Sequence, residues 1–188
     1  ALQHRGQEAC GITSFDGRFH NERHMGLVGD SFVGKDMPDR LPGFAAIGHN
    51  RYSTQGAPAR RNIQPIFADL SSGGVAMAHN GNITNARLKR RELIDDGAIF
   101  QSTMDTEVVI QLVAKSHKPR IVDRIIEAMM SIEGGYALVA LTNKKLIGAR
   151  DPIGLRPLVL GKLGGSYVLA SETCALDIIG AKFIREIE

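Results

Sequence analysis

Four polar segments interrupt an otherwise aliphatic chain: LQHRGQE (Leu2 to Glu8), GHNRYSTQG (Gly48 to Gly56), AHNGNITN (Ala78 to Asn85) and STMDTE (Ser102 to Glu107). The second and third follow short apolar runs and the fourth opens a helical pattern. Ends of regular elements are where binding and catalytic groups are commonly placed. In AHNGN, the Asn80 amide offers two donors and Gly81 lets its backbone N–H approach a ligand closely. Together they have the makings of an oxyanion hole, where losing one donor typically costs about 3–4 kcal/mol of barrier. The competing reading, favoured on spacing alone, is that Asn-Gly marks a tight turn. Arg51 and Asp105 supply the two charges that grip an α-amino acid: a guanidinium fork for the carboxylate and a carboxylate for the ammonium. Each has a structural alternative, as an ion-pair partner for Arg51 and as a helix N-cap for Asp105.

The stretch EACGITSFDG raises Cys10 as a nucleophile, because Cys-Gly opens an apolar run. The chain has 2 Cys, with no CxxC and no zinc-like Cys/His spacing, so no metal site is expected. Absence of a signal-peptide pattern favours a reducing, cytoplasmic setting. His49 and His79 each lie next to a candidate site group, although a satisfied structural histidine is the commoner case. His20, His24 and His117 read as surface residues. The stretch from Arg51 to Leu70, with Gly56, Pro58 and Pro65, reads as a long loop of the kind that forms lids.

These groups need a scaffold. The 188 residues suffice for one domain with a real core, and 43% hydrophobic with 23% charged argues against disorder. No apolar run approaches the ~20 residues of a membrane span. Net charge is +3, and the densest basic run, ARLKRRE, falls on a helical pattern where a solvated face explains it as well as a phosphate contact. ACGITSFDGRF reads as a strand entering a hairpin at Asp16-Gly17. FAAIGHN and GGVAMAHNG read as short buried strands. TNARLKRRELIDDG, TEVVIQLVAKS and PRIVDRIIEAMMSI read as helices, the first capped by Gly97, the second by Ser102, Thr103 or Asp105, the third started by Pro119. Met129-Met130 reads as core filler. GYALVALT, KLIGARD, PLVLGKL and SYVLASE read as strands, TCALDIIGA as a short helix and KFIREIE as a last strand. Helices in one block among hairpins predict an α+β fold of antiparallel sheets between helical layers, not a doubly wound parallel sheet.

LQHRGQE, GHNRYSTQG, AHNGNITNA, the Asp-Thr-Glu of STMDTE, GGYALVALTNKKLIGARDPIGLRPLVLG and SETCALDIIGA occur here in one order. The set resembles the class II, N-terminal-nucleophile glutaminase domain of the amidophosphoribosyltransferase family over essentially residues 1–188. Arg-Tyr-Ser-Thr in place of Arg-Trp-Ala-Thr points away from the glucosamine-6-phosphate synthase branch. The resemblance implies a four-layer αββα sandwich missing its first strand. It implies that Arg51 binds the glutamine α-carboxylate with Thr54 beside it, that Asp105 binds the α-ammonium, and that Asn80 and Gly81 form the oxyanion hole. Arg5 orients the nucleophile, and Tyr52 belongs to a loop that closes over substrate. Implied partners are glutamine, a phosphoribosyltransferase domain and further copies in a homo-oligomer, with neither nucleic acid nor membrane.

In that family the nucleophile is an N-terminal cysteine whose free α-amine, of pKa near ~8, accepts the proton. LQHRGQE follows that cysteine in the family, so the chain is expected to begin downstream of it and to lack turnover. No cofactor is expected in this segment. Magnesium, and the iron–sulfur cluster that some members carry, would belong to the remainder of the parent protein. Two other readings stay open at this stage. Cleavage after Ala9 would expose Cys10 as the nucleophile, and a non-catalytic module would either bind nucleic acid through Arg87, Lys89, Arg90 and Arg91 or serve as an interaction scaffold.

Overall fold

The computed structural model describes residues 1–34, 36–52 and 59–188. A 3-10 turn, Leu2–Arg5, leads into the hairpin of β1 (Ala9–Phe15) and β2 (Phe19–Met25). It reverses at Asp16-Gly17, where Gly17 takes the positive φ, +119°, that such a turn needs. Two helical turns, α1 (Val28–Ser31) and α2 (Met37–Arg40), precede β3 (Ala45–Arg51). After a 3-10 turn at Arg60–Asn62 come β4 (Ile66–Leu70) and β5 (Gly73–Ile83). The helical block is α3 (Ala86–Asp95), α4 (Asp105–Lys115) and α5 (Ile121–Ser131). The chain then runs through β6 (Gly134–Thr142), β7 (Leu146–Arg150), β8 (Val159–Leu163), β9 (Ser166–Ala170), α6 (Thr173–Ile178) and β10 (Lys182–Glu186).

One antiparallel sheet has the order β4-β5-β6-β7 and is buried on both faces. Side chains alternate across a strand, so Val75 and Met77 face one way and Ala76 the other. Val75, Met77, Tyr136 and Leu138 pack with Val109 and Val113 of α4 and Ile125 of α5. On the opposite face Ala76 and Leu141 meet Phe15 of β1 and Ile47 of β3. Each such large apolar side chain contributes about 1.5–3 kcal/mol on burial, which is why β5 and β6 carry apolar runs instead of strict alternation. A second layer holds two three-stranded antiparallel sheets, β2-β1-β3 and β10-β8-β9. Helix α6 covers the latter through Leu176, packed with Val159, Ala170 and Ala181. The Gly161 backbone lies so close that a Cβ there would sit 2.7 Å from the Leu176 side chain. Helices, sheet, sheet and helix make the αββα sandwich.

The second layer is divided. β3 pairs only with β1 and β9 only with β8 among the described residues. Their other edges line one slot of about 280 Å³, floored by Ala78, Ala137 and Val139 of the four-stranded sheet. Ala46 and Gly48 are exposed, so β3 is not the wholly buried strand its composition suggests.

Other expectations need correction. Residues Arg51 to Leu70 are not one loop, because Ile66–Leu70 pairs with β5. Ile66, Ala68 and Leu70 alternate inward, a pattern too short to stand out beside Pro65 and the SSGG turn. Ser53–Pro58 of that stretch lie outside the described residues, so the lid reading is not addressed. Met129 packs against the core, but Met130 is 84% exposed and is not core filler. Of the apolar residues on α3, only Leu93 is buried, because the helix touches the body along a narrow stripe. Helix α4 has Met104 as N-cap with no side-chain cap bond, so Asp105, the first helical residue, is not a cap. Gly97 does close α3, with φ +89° and its N–H donated to Ile94 O.

Candidate functional site

Three elements end at one place. β3 delivers His49, Asn50 and Arg51, β5 delivers His79 to Asn82, and the N-terminus of α4 delivers Asp105. With the 3-10 turn Leu2–Arg5 they line a cavity of about 1270 Å³. Arg5, Arg51, Tyr52, Asn80, Gly81 and Asp105 all face it. Thr54 lies outside the described residues.

Asn80 and Gly81 are not in a turn. β5 continues to Ile83, and Asn80 and Gly81 pair with Ala137 and Tyr136 of β6. The strand bends there instead, because Gly81 has φ +140°. A Cβ on Gly81 would fall 2.1 Å from Gly135 O, so only glycine fits. The tight-turn reading is thereby replaced by a kinked strand that leaves Asn80 and Gly81 partly exposed to the cavity.

Arg51 is buried, 4% exposed. Its Nη1 donates to Asn62 O at 2.6 Å, and its Nε lies 3.7 Å from Glu8 Oε2. Gly6 makes this possible: a Cβ there would meet Arg51 O at 2.5 Å, and Glu8 N–H donates to the same oxygen. Tyr52 is 71% exposed at the rim. Asp105 accepts from Ile83 N–H (3.2 Å) and Thr106 N–H (3.0 Å), and His79 Nδ1 lies 3.4 Å from its Oδ1. Burial alone would raise the Asp105 carboxyl, but the His79 ring and the two amides outweigh it and hold it below its ordinary value. Asp105 is therefore an anion at neutral pH.

Arg5 is tied down from the far sheet. Its Nη1 bonds Glu172 Oε1, His4 Nε2 lies 3.0 Å from Glu172 Oε2, and Glu172 is pulled down to about 2, chiefly by Arg5. Glu172 is a site residue that sequence reasoning missed, since 167 positions separate it from Arg5. Gln64, also missed, is buried and braces His79 at both its backbone N–H (2.8 Å) and C=O (3.1 Å), as a neighbouring strand would.

His49 sits beside His79 with its Nδ1 shut off from solvent and unpartnered. Burial, with the His79 ring adding to it, pushes its pKa from 6.5 down to about 4. The unfolded chain takes up this proton below pH 6.5 while the folded chain resists until about pH 4, so stability falls across that window as pH drops. The group alone accounts for roughly 3 kcal/mol. Denaturant midpoints of wild type and His49→Asn at pH 7.5 and pH 4.5 test this: the variant should lose much of the pH slope, and an unchanged slope contradicts it.

Cys10 is 1% exposed in the middle of β1, its thiol raised mainly by burial, and does not line the cavity. Arg90, offered above as a nucleic-acid contact, is spent internally: Nη1 donates to Ser102 O (3.0 Å), Nη2 to Met104 O (2.9 Å), and its guanidinium lies 3.9 Å over the Phe100 ring. Among the described residues no three His, Cys, Asp or Glu side chains converge on a metal position, and no helix is long and apolar enough to cross a membrane.

The arrangement brings a guanidinium-bearing residue, a carboxylate and the Asn80-Gly81 kink to one cavity. Residues 49–177 match the family model described as a glutamine amidotransferase domain. Over its whole length the chain is 60% identical to the amidophosphoribosyltransferase of Rhizobium etli and 41% identical to that of Bacillus subtilis. It spans 38% and 40% of those two relatives. The structure superposes on the solved glutamine phosphoribosylpyrophosphate amidotransferase from B. subtilis, complexed with ADP and GMP, with a TM-score of 0.93 and 40% identity. That match covers 100% of this chain and 40% of the other.

Proposed function

We propose, from the premise that this chain belongs to the glutamine amidotransferase domain family, that its cavity is the glutamine-binding part of a glutaminase site serving an amidophosphoribosyltransferase. The observation that carries the reading is that Arg51 and Asp105 line one cavity, with Asn80 and Gly81 at the kinked strand beside them. Arg51 takes the α-carboxylate, Asp105 the α-ammonium, and the side-chain amide extends toward Asn80 and Gly81. The Asn80 amide and the Gly81 N–H stabilise the oxyanion that forms when a thiolate adds to that carbonyl. Ammonia leaves, and water hydrolyses the thioester. Arg5, held by Glu172, orients the thiol-bearing residue.

Among the described residues no cysteine lines the cavity. The chain alone is therefore expected to bind glutamine without turning it over. In the parent protein the ammonia would pass to a phosphoribosyltransferase domain and react with phosphoribosyl pyrophosphate to give 5-phosphoribosylamine for purine synthesis.

Calorimetric titration with L-glutamine tests the reading. Wild type is expected to bind, and Arg51→Ala to weaken binding by about 10–100-fold, the worth of a charge-assisted contact. Equal affinities for the two proteins would sink it.

A further inference from the structure

Arg51 lies at the end of β3 and Asp105 at the start of α4. Two links run between these elements: Arg51 Nη1 lies 3.4 Å from Met104 Sδ, and Asn62 bridges Arg51 and Thr103. The Asn62 backbone oxygen accepts from Arg51 Nη1 at 2.6 Å. Its side-chain Oδ1 accepts from Thr103 N–H at 3.1 Å, and its Nδ2 donates to Thr103 Oγ1 at 2.9 Å. Asn62 is 2% exposed, so its bond to Arg51 is shielded from water, while the two to Thr103 are partly so. The segment it grips is held from the other side as well. Glu107 accepts from Gln101 N–H (2.8 Å) and Ser102 N–H (2.7 Å), and Arg90 takes the carbonyls of Ser102 and Met104. Thr103 thus has no slack, and Asp105 follows two residues later.

We propose that Asn62 is a positioning residue that sets the span between Arg51 and Asp105, and so selects ligands carrying both an α-carboxylate and an α-ammonium. This rests on the glutamine reading of the cavity. Asn62 touches no ligand in this scheme. It acts through Arg51 on one side and through Thr103 on the other. A fixed span favours a ligand that must engage both charges at once, because the cost of holding the two groups in register is met before binding. A ligand gripped by Arg51 alone gains nothing from it.

The test compares L-glutamine with 4-carbamoylbutanoate, which is glutamine without its α-amine, by calorimetry on the full 188-residue chain. Wild type is expected to prefer glutamine by about tenfold or more. In Asn62→Ala the preference should shrink to about two- or threefold, with affinity for the desamino ligand little changed. Thr103 is exposed, so Thr103→Ala threatens the fold less and carries the same test if Asn62→Ala fails to fold. It removes the oxygen that receives Asn62 Nδ2, and it should also narrow the preference. A variant pair that keeps the wild-type ratio overturns the inference alone. So does an equal loss for both ligands, which is what a merely structural residue would give. A wild type that binds neither ligand overturns the glutamine reading and the inference with it.

Discussion

Replacing Gly81 with alanine is expected to lower the unfolding free energy by about 3–5 kcal/mol, a large share of the 5–15 kcal/mol that ordinary domains possess. Two costs add. The backbone at φ +140° disfavours any L side chain, by about 1–3 kcal/mol. The new methyl would also lie 2.1 Å from Gly135 O and 2.8 Å from Tyr136 Cα, both backbone atoms that cannot rotate away. β5 and β6 must separate at the cavity end of their ladder, which loosens Ile83 and Tyr136 in the core beneath the helices. A urea titration followed by circular dichroism reads the loss directly. A midpoint shift worth less than about 1 kcal/mol would show that the strand tolerates a side chain and that the kink has another cause.

The second large effect belongs to Asp105→Asn. Asparagine keeps the shape and an oxygen for the Ile83 N–H but turns its NH2 toward the Thr106 N–H, so stability should fall by about 1–3 kcal/mol. The charge is lost, and with it the partner for an ammonium. L-Glutamine affinity should drop by about 10–100-fold while 4-carbamoylbutanoate binds as it does to wild type. The pH profile gives an independent check. Asp105 lies below the ordinary carboxylate value, so its contribution is fully present above about pH 4 and fades only as pH falls through the lowered folded value. Wild-type affinity that began to fall near pH 6 in step with Asp105 protonation would contradict this environment.

Much of the scaffold was legible because periodicity survives without context. Val108, Val109 and Val113 at helical spacing are fully buried on α4, as their pattern requires. The block of helices among hairpins predicts the layered sandwich. Arg51 and Asp105 stood out as opposite charges at element ends, and the fold brings both to one cavity. Asn80-Gly81 was misread locally because the dipeptide is a strong turn signal, whereas the informative feature was a distant one. Gly134-Gly135, on the facing strand, leaves room for the kink. Asn62, Gln64 and Glu172 were invisible for a physical reason. A single buried polar residue in a connecting segment has no period, and its partners are fixed only when the chain folds. The slot beside β3 was equally hidden from periodicity, because an unpaired edge has the same composition as a paired one.

That slot splits the layer into two plates. Among the described residues no backbone hydrogen bond joins β3 to β9. Among the described residues, sliding of one plate against the other is resisted by the shared floor, by the ion pair of Arg5 with Glu172 and by the His4–Glu172 hydrogen bond. Arg51, Asn80, Gly81 and Asp105 stand wholly on one bank, on β3, β5 and α4, whereas Glu172, which holds Arg5, stands on the other. The spacing of Arg51 and Asp105 is therefore mechanically independent of the slot, while the position of Arg5 is not. Any extended segment that bonds both edges at once would lock the plates together, and in doing so would fix the distance from Arg51 and Asp105 to Glu172.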